Sequence, residues 1–84
     1  MMYEWIAALP ARTRPAYLAL ADGIENAVHA GVIKAGSRLP PQQLLADFLG
    51  LHVNTVNRAL RETARRGLTA GRTRRGTVVL EQAG

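Results

Sequence analysis

Apolar residues recur at helical spacing in three separate places along the chain. In the first, Tyr17, Leu20, Ala21, Ile24, Ala27 and Val28 form one stripe. Pro15 suits the first turn of this helix, and Gly31 ends it. In the second, Leu44, Leu45, Phe48 and Leu49 lie between Pro41, suited to a helix start, and Gly50. The third begins directly after Leu51 and His52 and spans about residues 53–66. Val53, Val56, Leu60 and Thr63/Ala64 fall on one face. At about 100° per residue, Asn54, Asn57, Arg58, Arg61 and Arg65 fall on another. Beyond Gly67 the pattern changes. LTAG and TVVL are short strand candidates around an arginine-rich tip, RTRRG. Between the first two helices, VIKAGSRLPPQ reads as a connection with a short strand near Arg38–Leu39. Residues 1–9 predict a short apolar helix with Trp5, Ile6 and Leu9 on one side, stopped by Pro10.

The joint between the second and third helices is FLGLHV, where Gly50 gives the backbone freedom for a tight turn and Leu51 plugs the angle. Two short helices joined in this way form a helix-turn-helix pattern. With the arginine-tipped hairpin behind it, the pattern predicts a mainly α fold with a small β-hairpin: a winged helix-turn-helix of three core helices plus a wing. Residues 1–14 then form an N-terminal lead, 15–80 the winged domain, and 81–84 a tail leading to a further effector domain.

Charge sharpens the functional reading. Residues 51–80 hold seven arginines against one acid, Glu62, whereas the rest of the chain is net acidic by one. A solvated face kept for solubility would not need that segregation. Arginine forks match phosphates and guanine edges, which points to double-stranded DNA. The sequence has no cysteine, which removes disulfides and thiolate chemistry, and only His29 and His52 as histidines. It shows no nucleophile–base pair, metal spacing or phosphate-cradling glycine loop, so we expect no enzyme and no cofactor in this chain. His29, near a helix end, reads as a surface residue. No stretch approaches the roughly 20 apolar residues of a membrane helix, and a cytoplasmic location is expected.

On this reading the third helix enters the major groove. Asn54 and Asn57 can pair with adenine N6 and N7, and Arg58 with guanine O6 and N7. Thr55 can reach a phosphate or a thymine methyl, and Val53 is expected to pack at the edge of the core, with a thymine-methyl contact as its alternative. The alternatives are that Asn54 bonds its own backbone at the helix start, and that Asn57 is a solvated surface position. Arg61, Arg65, Arg66 and Arg72 are phosphate candidates, although Arg65 and Arg66 would equally suit the negative end of a helix dipole. The wing, 72–76, can lay Arg74 or Arg75 into the minor groove, with Gly76 permitting the turn. Arg38, Gln43 and His52 complete the DNA-facing set. The competing reading is a winged helix used for protein or RNA contact. None of the four aromatic residues lies in 51–80, where an RNA reader would offer stacking surfaces.

The pieces GSRLP, LADFLG, NTVNRAL, RRGL and RGT occur in this order. Together they resemble the N-terminal domain of GntR-type bacterial transcription regulators. The lead MYEWIAALP, then LPPQ and ARRGLTAGRTRRGT, resemble the MocR type most. The resemblance implies operator DNA as partner, a C-terminal domain that makes the full protein a homodimer, and an isolated domain that is monomeric. In the MocR type that domain resembles an aminotransferase and binds pyridoxal phosphate. The chain departs from the family's frequent arginines at Val53, Asn57 and Gln43. His52 stands where Ser or Thr usually caps the recognition helix, so that helix start is expected to be held by Asn54 or Thr55, or tightened by DNA.

Overall fold

A computed structural model describes residues 15–72 and 76–82. The lead helix at 1–9, with Trp5, Ile6 and Leu9, and the wing-tip residues Arg74 and Arg75 lie outside the described residues. So does the side chain of Arg72.

Three helices, α1 (Ala16–His29), α2 (Gln42–Leu49) and α3 (Val53–Arg65), precede a hairpin of β1 (Thr69–Arg72) and β2 (Gly76–Val79). Both prolines lie one residue earlier than expected. Pro15 and Pro41 occupy the N-cap positions with extended ψ angles of 143° and 148°, and the helices begin at Ala16 and Gln42. Neither cap uses a side chain. Instead the Pro15 carbonyl accepts from Leu18 and Ala19, and the Pro41 carbonyl accepts from Leu45.

Gly50 makes the joint between α2 and α3. It adopts φ 66°, a left-handed conformation that costs glycine little. Its amide and that of Leu51 both return to the Ala46 carbonyl, which caps α2 and lets α3 start two residues later. Leu51 is half-buried against the core, as its position in the turn suggested.

The core gathers Leu20, Ile24 and Ala27 of α1, Leu45 and Ala46 of α2, Val56, Ala59 and Leu60 of α3, and Val79 of β2. Fully burying a Leu or Ile side chain contributes about 1.5–3 kcal/mol, so these few residues carry much of the stability of so small a domain. On α3 the expected face holds, with Val56, Leu60 and Thr63 buried; Ala59 joins it, and of the pair Thr63/Ala64 only Ala64 is exposed. On α2, Leu45 and Ala46 face inward and Leu49 is half-buried, whereas Leu44 and Phe48 are exposed. The cause is the rotation of α2 about its axis: its 45/46/49 edge packs on the core, and residues 44 and 48 lie about 100° or more round the helix from the centre of that edge.

The hairpin is antiparallel, with Thr69 opposite Val79 and Arg72 opposite Gly76. The connection before α2 adds a short third rung. Arg38 bridges Val78, the Leu39 amide donates to Thr77 O at 2.9 Å, and the Val79 amide donates to Ser37 O at 2.8 Å. The short strand expected at Arg38–Leu39 therefore exists only as this bridge. Where α3 meets the hairpin, two buried hydroxyls face each other: Thr63 Oγ1 and Thr69 Oγ1 lie 2.8 Å apart. Thr63 also donates to Leu60 O at 2.9 Å. A hydroxyl has one hydrogen, so Thr69 is the donor to Thr63. That pair ties the end of α3 to the start of the wing.

Candidate nucleic-acid interface

The start of α3 is organised by His52. Its Nδ1 accepts the Asn54 amide at 3.1 Å, with backbone angles of an N-cap. The cap expected from Asn54, Thr55 or DNA is thus supplied by the imidazole itself, which takes the place of the hydroxyl or carboxamide oxygen of the favoured caps. A neutral imidazole accepting at Nδ1 carries its hydrogen on Nε2. His52 is exposed, so Nε2–H is a donor at the solvent-facing start of the helix.

Along α3, Asn54, Arg58, Arg61 and Arg65 are exposed, and Thr55 and Asn57 are half-buried. Val53 packs against the core, as expected. Asn57 is neither free nor merely solvated. Its Nδ2 donates to Gln42 Oε1 at 3.4 Å, across the angle between α3 and α2. One Asn57 N–H and its Oδ1 remain, the pair that adenine N6 and N7 require. Gln43, by contrast, donates to Asp47 Oδ1 at 3.2 Å along α2's exposed side. Arg38 is exposed at its bridge to Val78 of the hairpin.

The arginines divide sharply. Arg58 places its guanidinium carbon 4.1 Å from the centroid of the Tyr17 ring. Arg65 donates to both Glu62 oxygens at 2.9 and 2.7 Å while its side chain stays 72% exposed. Glu62 itself is only 15% exposed, but the Arg65 guanidinium stays reachable from solvent while paired. Arg66 is less reachable. It donates to Glu62, Asp22 and Glu25 at 2.8–2.9 Å, and its side chain is only 16% exposed. Burial pushes its pKa downward, but the hydrogen bonds it donates to Glu62 and Asp22 outweigh this and the net direction is upward. Arg66 is thus a strut between α3 and α1 rather than a phosphate contact. The Arg65 and Arg66 guanidiniums, with Arg65 the larger influence, hold the Glu62 carboxyl at about 2.

Two contributors escaped sequence reasoning. Tyr17 was read as part of the α1 stripe, and it does pack on the core, but its ring also faces Arg58. Gln42 gave no signal beyond its place at a helix start. Its partner lies 15 residues away.

Among the described residues, the arginine-bearing face of α3, the Gly50 turn and the adjoining hairpin define a winged helix-turn-helix, the architecture of a DNA-binding domain. Residues 16–79 match the bacterial regulatory proteins of the gntR family, and the chain belongs to that family of helix-turn-helix transcription regulators. It is 36% identical over 76 residues to an uncharacterised helix-turn-helix regulator of Bacillus subtilis, YdeF, covering 90% of this chain and 16% of that protein. It is 36% identical over 66 residues to a putative regulator of Mycobacterium gastri, RmpR, covering 76% of this chain and 24% of that one. The chain therefore spans less than a quarter of the length of these two relatives. In three dimensions it resembles the GntR-family transcription factor YtrA of Sulfolobus acidocaldarius. The TM-score is 0.79 and the identity 32%, over 89% of this chain and 78% of that one. A transcriptional regulator from Oenococcus oeni matches with TM-score 0.78 and 30% identity, over 84% and 59% of the two chains.

Proposed function

We propose that this chain reads one duplex operator sequence through α3 laid in the major groove. The observation that carries the proposal is the sorting of α3's arginines: Arg58 and Arg61 remain exposed on one stripe with Asn54, while Arg66 is tied inward. Asn54, Asn57 and Arg58 would meet base edges. Arg61 and Arg65 would meet phosphates, with Arg72, Arg74 and Arg75 of the wing beside the minor groove. Site selection from a random duplex library tests this. Asn57→Ala is expected to change the preferred motif, whereas Arg61→Ala is expected to weaken all duplexes about equally and flatten the salt dependence. An unchanged motif for Asn57→Ala removes its base-reading role. Salt-insensitive binding, or a preference for RNA or a protein partner, would favour the competing use of a winged helix.

The wider assignment is also a proposal: a cytoplasmic, homodimeric regulator of MocR type, whose 15–80 segment is the DNA-binding unit. Support comes from the lead and LPPQ motifs and from the small share of YdeF that the match occupies. Among the described residues, no helix is long and apolar enough to cross a membrane. Pyridoxal phosphate does not fit the residues described. It needs a lysine for its Schiff base, and Lys34, the one lysine in the sequence, is exposed on the loop after α1. Any such group would belong to the C-terminal domain typical of that type. Absorbance of the full natural protein after loading with pyridoxal phosphate tests the subtype.

A further inference from the structure

We propose that Tyr17 is a positioning residue for DNA recognition, a fixed aromatic plate that presets the Arg58 guanidinium for a base edge. The inference rests on the reading of Arg58 as a base contact. Its first support is geometric: the guanidinium carbon stands 4.1 Å over the ring centroid, well within the range of a cation–π contact. The second is the rigidity of the plate. Tyr17 sits in the first turn of α1 and packs against the hydrophobic core, so the ring cannot swing away without breaking apolar contacts. The third is the strut described above. Arg66 binds Asp22 and Glu25 of α1 from the end of α3, which fixes the two helices that carry ring and guanidinium.

The chemistry of the contact matters most. A ring face holds the guanidinium through its charge and takes up none of its N–H donors in an ion pair. An ion pair would use those donors, as Glu62 does with Arg65. Arg58 is therefore restrained yet still able to offer two parallel N–H groups to guanine O6 and N7. An unrestrained arginine would lose rotamer freedom on binding, and pre-ordering reduces that loss. Tyr17, Arg58, Arg61, Glu62 and Arg65 line one open cleft of about 230 Å³, so the plate borders the same face that carries the phosphate-contacting arginines.

The test uses this chain, the duplex recovered by site selection, and a duplex changed at the base pair whose preference Arg58→Ala alters. Affinities for both are measured by fluorescence anisotropy. Tyr17→Phe keeps the plate and is expected to keep the affinity ratio. Tyr17→Leu is expected to lower that ratio roughly 3- to 10-fold at that base pair, and to add nothing in an Arg58→Ala background. A ratio between two duplexes does not depend on the folded fraction, so a loss of stability in Tyr17→Leu does not mask the result. If Tyr17→Leu weakens both duplexes equally while Arg58→Ala changes the ratio, the positioning role is overturned and the base contact stands. If Arg58→Ala changes no preference at any base pair, the base contact fails and the inference with it.

Discussion

Arg66, at the end of the recognition helix, places Nη1 2.9 Å from Oδ1 of Asp22, 44 residues earlier on α1. The same nitrogen meets Glu25 at 2.9 Å, and Nε meets Glu62 at 2.8 Å. An arginine that sequence alone assigns to phosphate as readily as to a helix dipole is instead an internal brace. Arg66→Met keeps the aliphatic stem and removes the charge. It is expected to cost about 1–2 kcal/mol, the low end for hydrogen bonds to charged groups, because the cluster is partly open to water. Thermal unfolding followed by circular dichroism should show Tm lower by roughly 4–8 °C per kcal/mol in a domain of this size. An unchanged Tm together with a large loss of DNA affinity would return Arg66 to the phosphate-contacting set.

Glu62 provides a pH signature of the same cluster. Its carboxyl is lowered from 4.5 to about 2, first by the Arg65 hydrogen bond and then by Arg66. A folded-state value below the unfolded one means that the stabilisation is complete above about 4.5. It is lost as pH falls from there toward about 2. The urea midpoint of the parent chain should fall more steeply across that window than that of Glu62→Gln. Parallel curves would show that the pairing with Arg65 and Arg66 contributes nothing.

The buried hydroxyl pair predicts an asymmetry. Thr63→Val removes the acceptor of the buried Thr69 donor and is expected to cost about 1–3 kcal/mol. Thr69→Val leaves Thr63 bonded to Leu60 O and should cost less. The double valine variant should recover part of the Thr63→Val loss, since no buried hydroxyl is then stranded. Chemical denaturation of the three variants measures this, and a Thr69→Val loss as large as that of Thr63→Val would contradict the donor order.

His52 supplies the cap of α3, and His52→Ala should cost about 1 kcal/mol in stability. His52→Ser restores a good capping oxygen and should melt at or above the parent temperature. If alanine and serine melt together, the imidazole cap is not stabilising.

Much of the fold could be read directly from periodicity. The α1 and α3 stripes, the Gly50 turn and the two strand candidates all fall within one or two residues of the observed elements, because local spacing and turn chemistry act over a few residues. The misses have specific causes. Pro15 and Pro41 fix the chain just outside a helix as readily as inside its first turn, and the sequence does not choose. Phe48 looked like core because it is apolar at the right spacing. The packing of α2 turns its 45/46/49 edge to the core and leaves Phe48 on its outer side, a rotation that apolar spacing alone does not choose.

The sequence by itself determined the three helices and the hairpin, the concentration of arginine behind residue 51, and the family. It could not determine what each arginine and asparagine of α3 does. Arg58 lies on Tyr17, Asn57 bonds Gln42, and Arg66 bonds Asp22 and Glu25. Each of those partners sits on another helix. Only the packing of α1 and α2 against α3 brings the pairs within reach, because side-chain electrostatics and hydrogen bonds act over a few ångströms of space and not along the chain.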